Sequence, residues 1–568
     1  MILCFGLQIL KFFPIPILIL SGTMRNKKIL FCSEASWLPT GYSVYTKEVL
    51  SRLNQIDGLE VAELACYVDQ NDPHIQTTPW KVYPNKPLGD DPTMATYRAN
   101  PSNQFGDHNF NRVLIDFQPD IVIDIRDWWM MEFEQRSPFR DFFTWAIMPT
   151  VDAEPQAAQW VNTYASADAV FTYSEFGRDT LVNQCDNLNF IDIAPPCASS
   201  NFAPVDNKHT HKESMGIDPN TLIIGTVMRN QKRKLYPDLL KSFRRFIDIA
   251  KDPNIFLYCH TYYPDVGWDL PSLIHESGLG NRLLLTYKCK NCKHLSVDFF
   301  KDSLQYCQEC GQFTNQLVGI NNAVEETELV KIYNLFDVYV QYANSEGFGM
   351  PQLEAAQCAV PVIATYYSAM ASVMDNINGI AIEPLSYYIE CETGCKRAIP
   401  NNSRFIDTLL ELHRDKHQLP ELGNKLRDQA LSVYNWDKTA DIWAKYAQSV
   451  ELKDLNTTWL SSPDIVQPAT EIPSDHISLI DKVNFIFNNI LCKPQWVGNY
   501  LWKKTLKDIT FGFRCENLQK DFYFNESHIQ SHGGNQPFNL DEACKEMSNL
   551  RQQINEWEQF RYENTIRR

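Results

Sequence analysis

Two glutamates, Glu346 and Glu354, enclose seven residues within the stretch SEGFGMPQLEAAQCAVPVIA. Gly347, Phe348, Gly349, Met350 and Pro351 lie between them, after the apolar run DVYVQY and ahead of PVIAT. The order reads as strand, tight loop, helix and strand. The helix is expected to begin near Pro351, because the first N–H groups of a helix have no internal partner and proline loses nothing there. Those free N–H groups and the helix dipole suit an anion. Gly347 and Gly349 remove side chains where a ligand would approach the backbone, so the loop could wrap a phosphate. Glu354, one turn inside the helix, could accept hydrogen bonds from ribose hydroxyls, and Glu346 at the loop mouth could reach the hydroxyls of a sugar. A plain glycine turn with two solvated acids is the competing explanation.

A second cluster bears on the first. In GTVMRNQKRKLYPDLLKSF, Arg229 and Lys234 follow a strand-like run, at the strand end where a ligand cleft forms in open parallel sheets. Two cations there could neutralise a diphosphate leaving group as its bond to carbon breaks. A charge run is usually a solvated loop. A short basic cluster in a chain of formal charge −17 instead favours a binding role.

Cys289 and Cys292, then Cys307 and Cys310, form two C-x2-C pairs fourteen residues apart. Four thiolates at this spacing suit tetrahedral zinc and leave no open position for a catalytic water. A structural zinc ribbon over residues 288–312 is therefore expected, as a staple or as a grip for acceptor or partner. Lys288, Lys290 and Lys293 could offset its charge. Cys391 and Cys395 have no matching pair and are read as ordinary thiols. Asp124 and Asp127 flank Arg126 just past a strand end, where either an acceptor-facing site or a salt-bridged loop would account for them.

The elements that must position these residues follow an alternation of short apolar runs and helical patterns, the mark of parallel α/β domains. Strands are expected at 29–33, 120–125 and 169–174, and again at 221–228, 255–260, 282–287, 337–342 and 361–365. The segment APPCASSNFAPVD between these two groups is the expected boundary. The chain divides into an apolar leader at 1–23, a Rossmann-like domain at 24–205 and a second at 206–454 that carries the ribbon. An extension at 455–568 has no interpretable motif. A helical pattern from Glu421 to about residue 450, with Trp436 and Trp443 on one stripe, closes the second domain.

Composition narrows the class further. The 568 residues exceed one ordinary core, and 44% hydrophobic with 21% charged residues is a globular balance. The acidic charge argues against nucleic acid as partner. Sixteen cysteines spread along the chain, four of them in one metal-like set, point to a reducing compartment. Sequons at Asn401, Asn456 and Asn525 are expected chance matches. Pro14, Pro16 and Lys11 interrupt the leader, and no basic region precedes it. A cytoplasmic location is expected, with membrane association through the leader as the alternative.

Taken together, Glu346, seven residues and Glu354, with Arg229 and Lys234 at their spacing, resemble the GT-B glycosyltransferases of family 4, the large retaining group. Gly41 and Tyr42, after the first strand, resemble that family's glycine loop, which reaches the donor from the other domain. The likeness spans roughly residues 27–450 and is looser in the N-terminal half. It implies a UDP-, GDP- or ADP-sugar donor, transfer with retention of configuration, and no catalytic divalent metal. Gly347, Phe348, Gly349, Met350, Pro351 and Glu354 would then bind the donor. The family often has a histidine near the reacting sugar, where PTVDAEPQAAQW offers Asp152 here. Its His-Gly turn before the interdomain linker is Pro196-Cys197. Acceptors on this architecture include glycans, lipids and proteins. The rival readings are a catalytically silent nucleotide-sugar-binding or zinc-dependent assembly protein, and a nucleotide-sugar epimerase.

Overall fold

The structure is a computed structural model, which describes residues 25–319, 321–453 and Trp459. The leader, the extension apart from Trp459, and the sequons Asn456 and Asn525 lie outside these residues. Asn401 serves as a helix cap, its side chain accepting from the Arg404 N–H.

Two parallel sheets organise the chain. The first contains β1 (Lys27–Glu34), β2 (Leu59–Cys66), β3 (Lys81–Pro84), β4 (Ile121–Asp124), β5 (Thr144–Ile147), β6 (Ala169–Thr172) and β7 (Phe190–Ile193), in the order 3-2-1-4-5-6-7. The second is built on β8 (Leu222–Val227), β9 (Ile255–His260) and β10 (Leu283–Cys289), with β11 (Leu295–Phe299), β12 (Gln305–Tyr306) and β13 (Phe313–Leu317) added antiparallel at its edge. β14 (Val338–Gln341), β15 (Val362–Thr365) and β16 (Ile380–Ile382) complete it. Its parallel core runs 10-9-8-14-15-16, so each sheet starts at its centre and grows outward on both sides, as a Rossmann unit does. A separate hairpin, β17 (Ser386–Ile389) and β18 (Lys396–Ile399), follows β16.

The central strands, among them β1, β4, β8 and β14, are buried on both faces, which is why they read as apolar runs. Along β1, Ile29 and Phe31 feed one core and Leu30 and Cys32 another. In the second sheet Ile223 and Tyr339 join the first of these cores, while Ile224 and Val340 enter a third. One apolar cluster thus runs through both domains.

The closing helical pattern is two helices rather than one. Leu419–Val433 ends before Tyr434, and Asn435 caps a new helix, Trp436–Ser449, by accepting from the amides of Asp437 and Lys438. This last helix returns to the first domain. Trp443 donates its indole N–H to the Tyr45 hydroxyl at 2.7 Å and packs on Phe171, and Lys27 binds the carbonyls of Ala447, Gln448 and Val450. A cation on the last carbonyls satisfies groups that the helix leaves open.

Candidate functional site

The carboxyl ends of both sheets meet in one cleft. From the first domain come Gly41 after β1, Asp127 after β4, and Thr150 and Asp152 after β5. From the second come Arg229 to Lys234 after β8, Asn344 to Gly349 after β14, and Ser368 after β15. The contact is close: a Cβ on Gly347 would lie 2.3 Å from the Thr150 methyl, and one on Gly41 would lie 3.8 Å from the Met350 sulfur. The expected glycine loops of the two domains therefore do face each other.

The loop after β14 is built as its residues suggest. Gly349, at φ +89°, occupies the left-handed region that favours glycine and caps the helix Met350–Gln357, with Pro351 in its first turn. Gln352 packs back beneath the turn, its amide donating to the carbonyls of Phe348 and Gly349. Glu354 is half-buried and accepts from the Tyr333 hydroxyl at 2.6 Å; burial pushes its carboxyl up to about 7.

Glu346 is not exposed at the loop mouth. It is 4% exposed, its carboxylate contacts the Lys234 ammonium, and Gln341 donates to it at 2.7 Å. The Ser368 hydroxyl accepts from its backbone N–H. Lys234 reaches this position because the basic loop is stitched to the end of β14, through a backbone bridge to Ala343 and the bonds Leu235 N to Tyr342 O and Asn344 N to Arg233 O. Burial, with Arg233 close by, pushes the Lys234 pKa down.

Arg229 and Lys234 do not converge. Arg229 is half-exposed and makes a two-pronged pair with Asp265 at 2.8 and 3.0 Å. The cation beside Lys234 is Arg233, 3.7 Å from Glu346. Sequence reasoning missed it, although it lies in the same RNQKRK run.

Asp152 is drawn into the centre of the cleft by a residue that no motif indicated. Arg397, on β18, donates to Asp152 at 2.8 Å, to Glu390 at 2.8 Å and to Ser345 at 2.6 Å. The hairpin also bonds to the first domain through Lys396 N to Glu154 O at 2.7 Å and the Cys395 thiol to Pro155 O at 3.0 Å. Asp124 and Asp127 part company. Asp124 forms a fully buried pair with Arg126, whereas Asp127 has no part in that pair; its pKa is raised by burial and then by the like charge of Asp152, and lowered by the Thr150 and Tyr42 hydroxyls. The Tyr42 and Thr150 hydroxyls are 2.7 Å apart.

Residues 314–387, which include this loop and both glutamates, match the family model described as glycosyl transferases group 1. The chain is a glycosyltransferase on the GT-B fold. Its architecture is similar to sucrose-phosphate synthase of Thermosynechococcus elongatus, with 16% identity and a TM-score of 0.54, over 75% of this chain and 98% of that one. It is also similar to Anabaena HepE, crystallised with UDP and glucose, with 12% identity and a TM-score of 0.53 over 75% and 100%. A glycosyltransferase of Rickettsia africae gives 12% and 0.52 over 74% and 98%. No curated protein matches the chain.

The glycosyltransferase also carries the expected cysteine cluster. The sulfurs of Cys289, Cys292, Cys307 and Cys310 all lie within 4.8 Å of one another, with Cys289 3.7 Å from Cys310 and Cys292 3.6 Å from Cys307. Thiolates about 2.3 Å from a tetrahedral zinc would stand roughly 3.8 Å apart, so the set fits a metal. The Thr314 hydroxyl lies 3.0 Å from the Cys289 sulfur. Lys288 does not offset the thiolate charge: its ammonium turns away to Glu328 at 2.6 Å and the Ala323 carbonyl. Lys290 and Lys293 are exposed. Among the described residues, no helix is long and apolar enough to cross a membrane.

Proposed function

We propose that this glycosyltransferase takes a sugar from a UDP-, GDP- or ADP-linked donor held by the second domain. It passes the sugar, with retention of anomeric configuration, to an acceptor on the first. The observation that carries this reading is the Lys234–Glu346 contact under the Gly347–Gly349 turn, facing Thr150 and Gly41 of the other domain. HepE's crystallisation with UDP and with UDP-glucose supports a nucleotide-sugar donor for this chain.

In this reading the Met350 N–H and the dipole of the helix behind it serve the diphosphate, Pro351 having no N–H to offer, and Lys234 and Arg233 supply positive charge from the other side. An arriving diphosphate favours the charged form of Lys234 and competes with Glu346 for it, freeing that carboxylate for sugar hydroxyls. Arg229 joins by leaving Asp265. Glu354 takes the ribose, while Phe348 and Gly349 hold the turn that brings the backbone to the phosphates. Gly41 and Tyr42 close over the donor, and Asp152 contacts the reacting sugar. As the bond from the anomeric carbon to phosphate breaks, the cations stabilise charge that grows only in the transition state. The acceptor's proton passes to the departing phosphate oxygen, and closure of the cleft excludes water. No catalytic divalent metal enters this scheme.

Zinc at Cys289, Cys292, Cys307 and Cys310 would serve the fold, pinning the extension of β10 to β13. The many buried free thiols, among them Cys32, Cys66 and Cys259, agree with a cytoplasmic compartment. A thermal-shift screen of nucleoside diphosphates and their sugars tests the donor claim. A ligand at 100 times its Kd should add about 2.7 kcal/mol, and no stabilisation by any of them would sink the claim.

A further inference from the structure

Asp127 is the first-domain carboxyl that the donor scheme leaves unused. It occupies the N-cap position of the helix Trp128–Gln135, where aspartate commonly binds the helix's own N–H groups, yet it makes no such bond. It follows β4 on the side of the cleft where the Tyr42 and Thr150 hydroxyls pair at 2.7 Å, and both hydroxyls favour its charged form. The Thr150 methyl is the group against which Gly347 packs, so Asp127 stands one side chain away from the donor loop. Arg126 does not neutralise it, being spent on Asp124 and the Phe105 carbonyl. Asp152 already has Arg397. Among the described residues no lysine or arginine is in ion-pair contact with Asp127.

Two tryptophans follow directly. Trp128 stacks on Trp160 at 5.7 Å. Trp129 is 47% exposed, with its edge-on contact to Phe105 at 4.9 Å, and Phe105 is held by Arg126 next to Asp127. An exposed indole two residues along the chain from a carboxyl suits a sugar ring, whose C–H face can lie on the aromatic while a hydroxyl reaches toward the acid. A lipid chain would call for a continuous apolar patch. In the chain Trp129 is instead flanked by two acids, Asp127 and the part-exposed Glu132.

We infer that Asp127 accepts the hydrogen bond of the attacking hydroxyl, and that the hydroxyl belongs to a carbohydrate resting on Trp129. The inference rests on the transfer reading above. The new bond forms between the acceptor oxygen and the anomeric carbon, and the carbon–phosphate oxygen bond breaks with its electron pair on the nucleoside diphosphate. The proton leaves on that phosphate, so Asp127 orients the hydroxyl and ends the step unchanged. Burial first and the charge of Asp152 second raise the Asp127 carboxyl to about 6, against Thr150, Arg233 and Tyr42, which favour its charged form. It is therefore ionised at neutral pH and a strong acceptor.

The test uses the full chain, with UDP-, GDP- and ADP-sugars as donors. Free mono- and disaccharides, and n-octanol as an apolar alcohol, serve as acceptors, and nucleoside diphosphate release is followed. A saccharide should raise release at least about tenfold above the water rate. Asp127→Asn should cut that increment by about 100-fold and abolish its rise with pH near 6, while thermal stabilisation by the nucleoside diphosphate stays the same. Trp129→Ala should raise KM for the saccharide about tenfold with little change in kcat. Transfer by Asp127→Asn at the wild-type rate, or stimulation by n-octanol and by no saccharide, would overturn the inference and leave the donor reading standing. Absence of any donor turnover together with absence of nucleotide binding would overturn both.

Discussion

The carboxylate of Asp152 and the guanidinium of Arg397 meet at 2.8 Å across the cleft, one from each domain. Burial works against the Arg397 charge, but Asp152 and Glu390 more than offset it and hold its pKa above the usual arginine value. Replacing Arg397 with methionine leaves two partly buried carboxylates facing each other without a cation. Stability should fall by about 2 kcal/mol, below the full cost of a broken buried pair because both acids keep some solvent. Urea denaturation checks this, and adding Asp152→Asn should recover part of the loss, since the two changes share one contact.

The close approach of Gly347 to Thr150 gives a steric prediction. In Gly347→Ala the new methyl would lie 2.3 Å from the Thr150 Cγ2, so the two domains must part or Thr150 must shift. Turnover should fall about tenfold or more. Thr150→Ser removes that methyl while keeping a hydroxyl for Tyr42, so the double variant should recover activity relative to Gly347→Ala. A cycle of kcat/KM values in which the two losses simply add would place Gly347 away from the closed interface.

With Glu354 proposed to take the ribose, nucleotide binding should depend on pH. Its carboxyl is raised to about 7 by burial, and ribose hydroxyls donate best to the ionised form. Nucleoside diphosphate affinity should therefore strengthen as pH rises from 6 to 8, and Glu354→Gln should remove the part of this dependence that the phosphate's own titration does not supply. Stability runs the other way. A carboxyl raised in the fold contributes stability below the unfolded value of about 4.3, and that stability is lost as pH climbs through 7. Isothermal titration and urea unfolding at several pH values test the two signs separately.

Metal removal tests the cysteine cluster. The purified chain should hold one zinc, and chelation or Cys307→Ser should destabilise the second domain, where β10 and β13 meet, while the first domain keeps its amide protection against hydrogen exchange. Protein without zinc that has unchanged stability would remove the metal from the account.

Much of this arrangement was legible in the sequence because parallel strands buried on both faces leave unbroken apolar runs. β9 matches its expected span, β8 and β14 differ by one residue at each end, and β15 differs by one residue at its start. β2 was harder to see, because LEVAELAC carries the buried Glu63, which accepts from the Ser36 amide and the Trp80 indole and so breaks the apolar pattern. The glycine loop with its two acids was readable, but the burial of Glu346 was not: it depends on Lys234 arriving from another strand end. Arg397 left no signal at all. Its role comes from a hairpin with a fully exposed first strand, and only the fold places that hairpin against Asp152. Spacing selected Arg229 over Arg233, whereas the nearest carboxylate, Asp265 for one and Glu346 for the other, decides which cation faces the loop.

On the proposed reading, this cleft breaks a sugar–diphosphate bond. The direct measurement is nucleoside diphosphate release from UDP-, GDP- and ADP-sugars by the wild-type chain and by Lys234→Met. Slow release from at least one donor is expected, falling by about 100-fold or more in the variant because the Lys234 charge stabilises the leaving group. Binding without release from any donor, with or without acceptors, would contradict it and make the chain a binder.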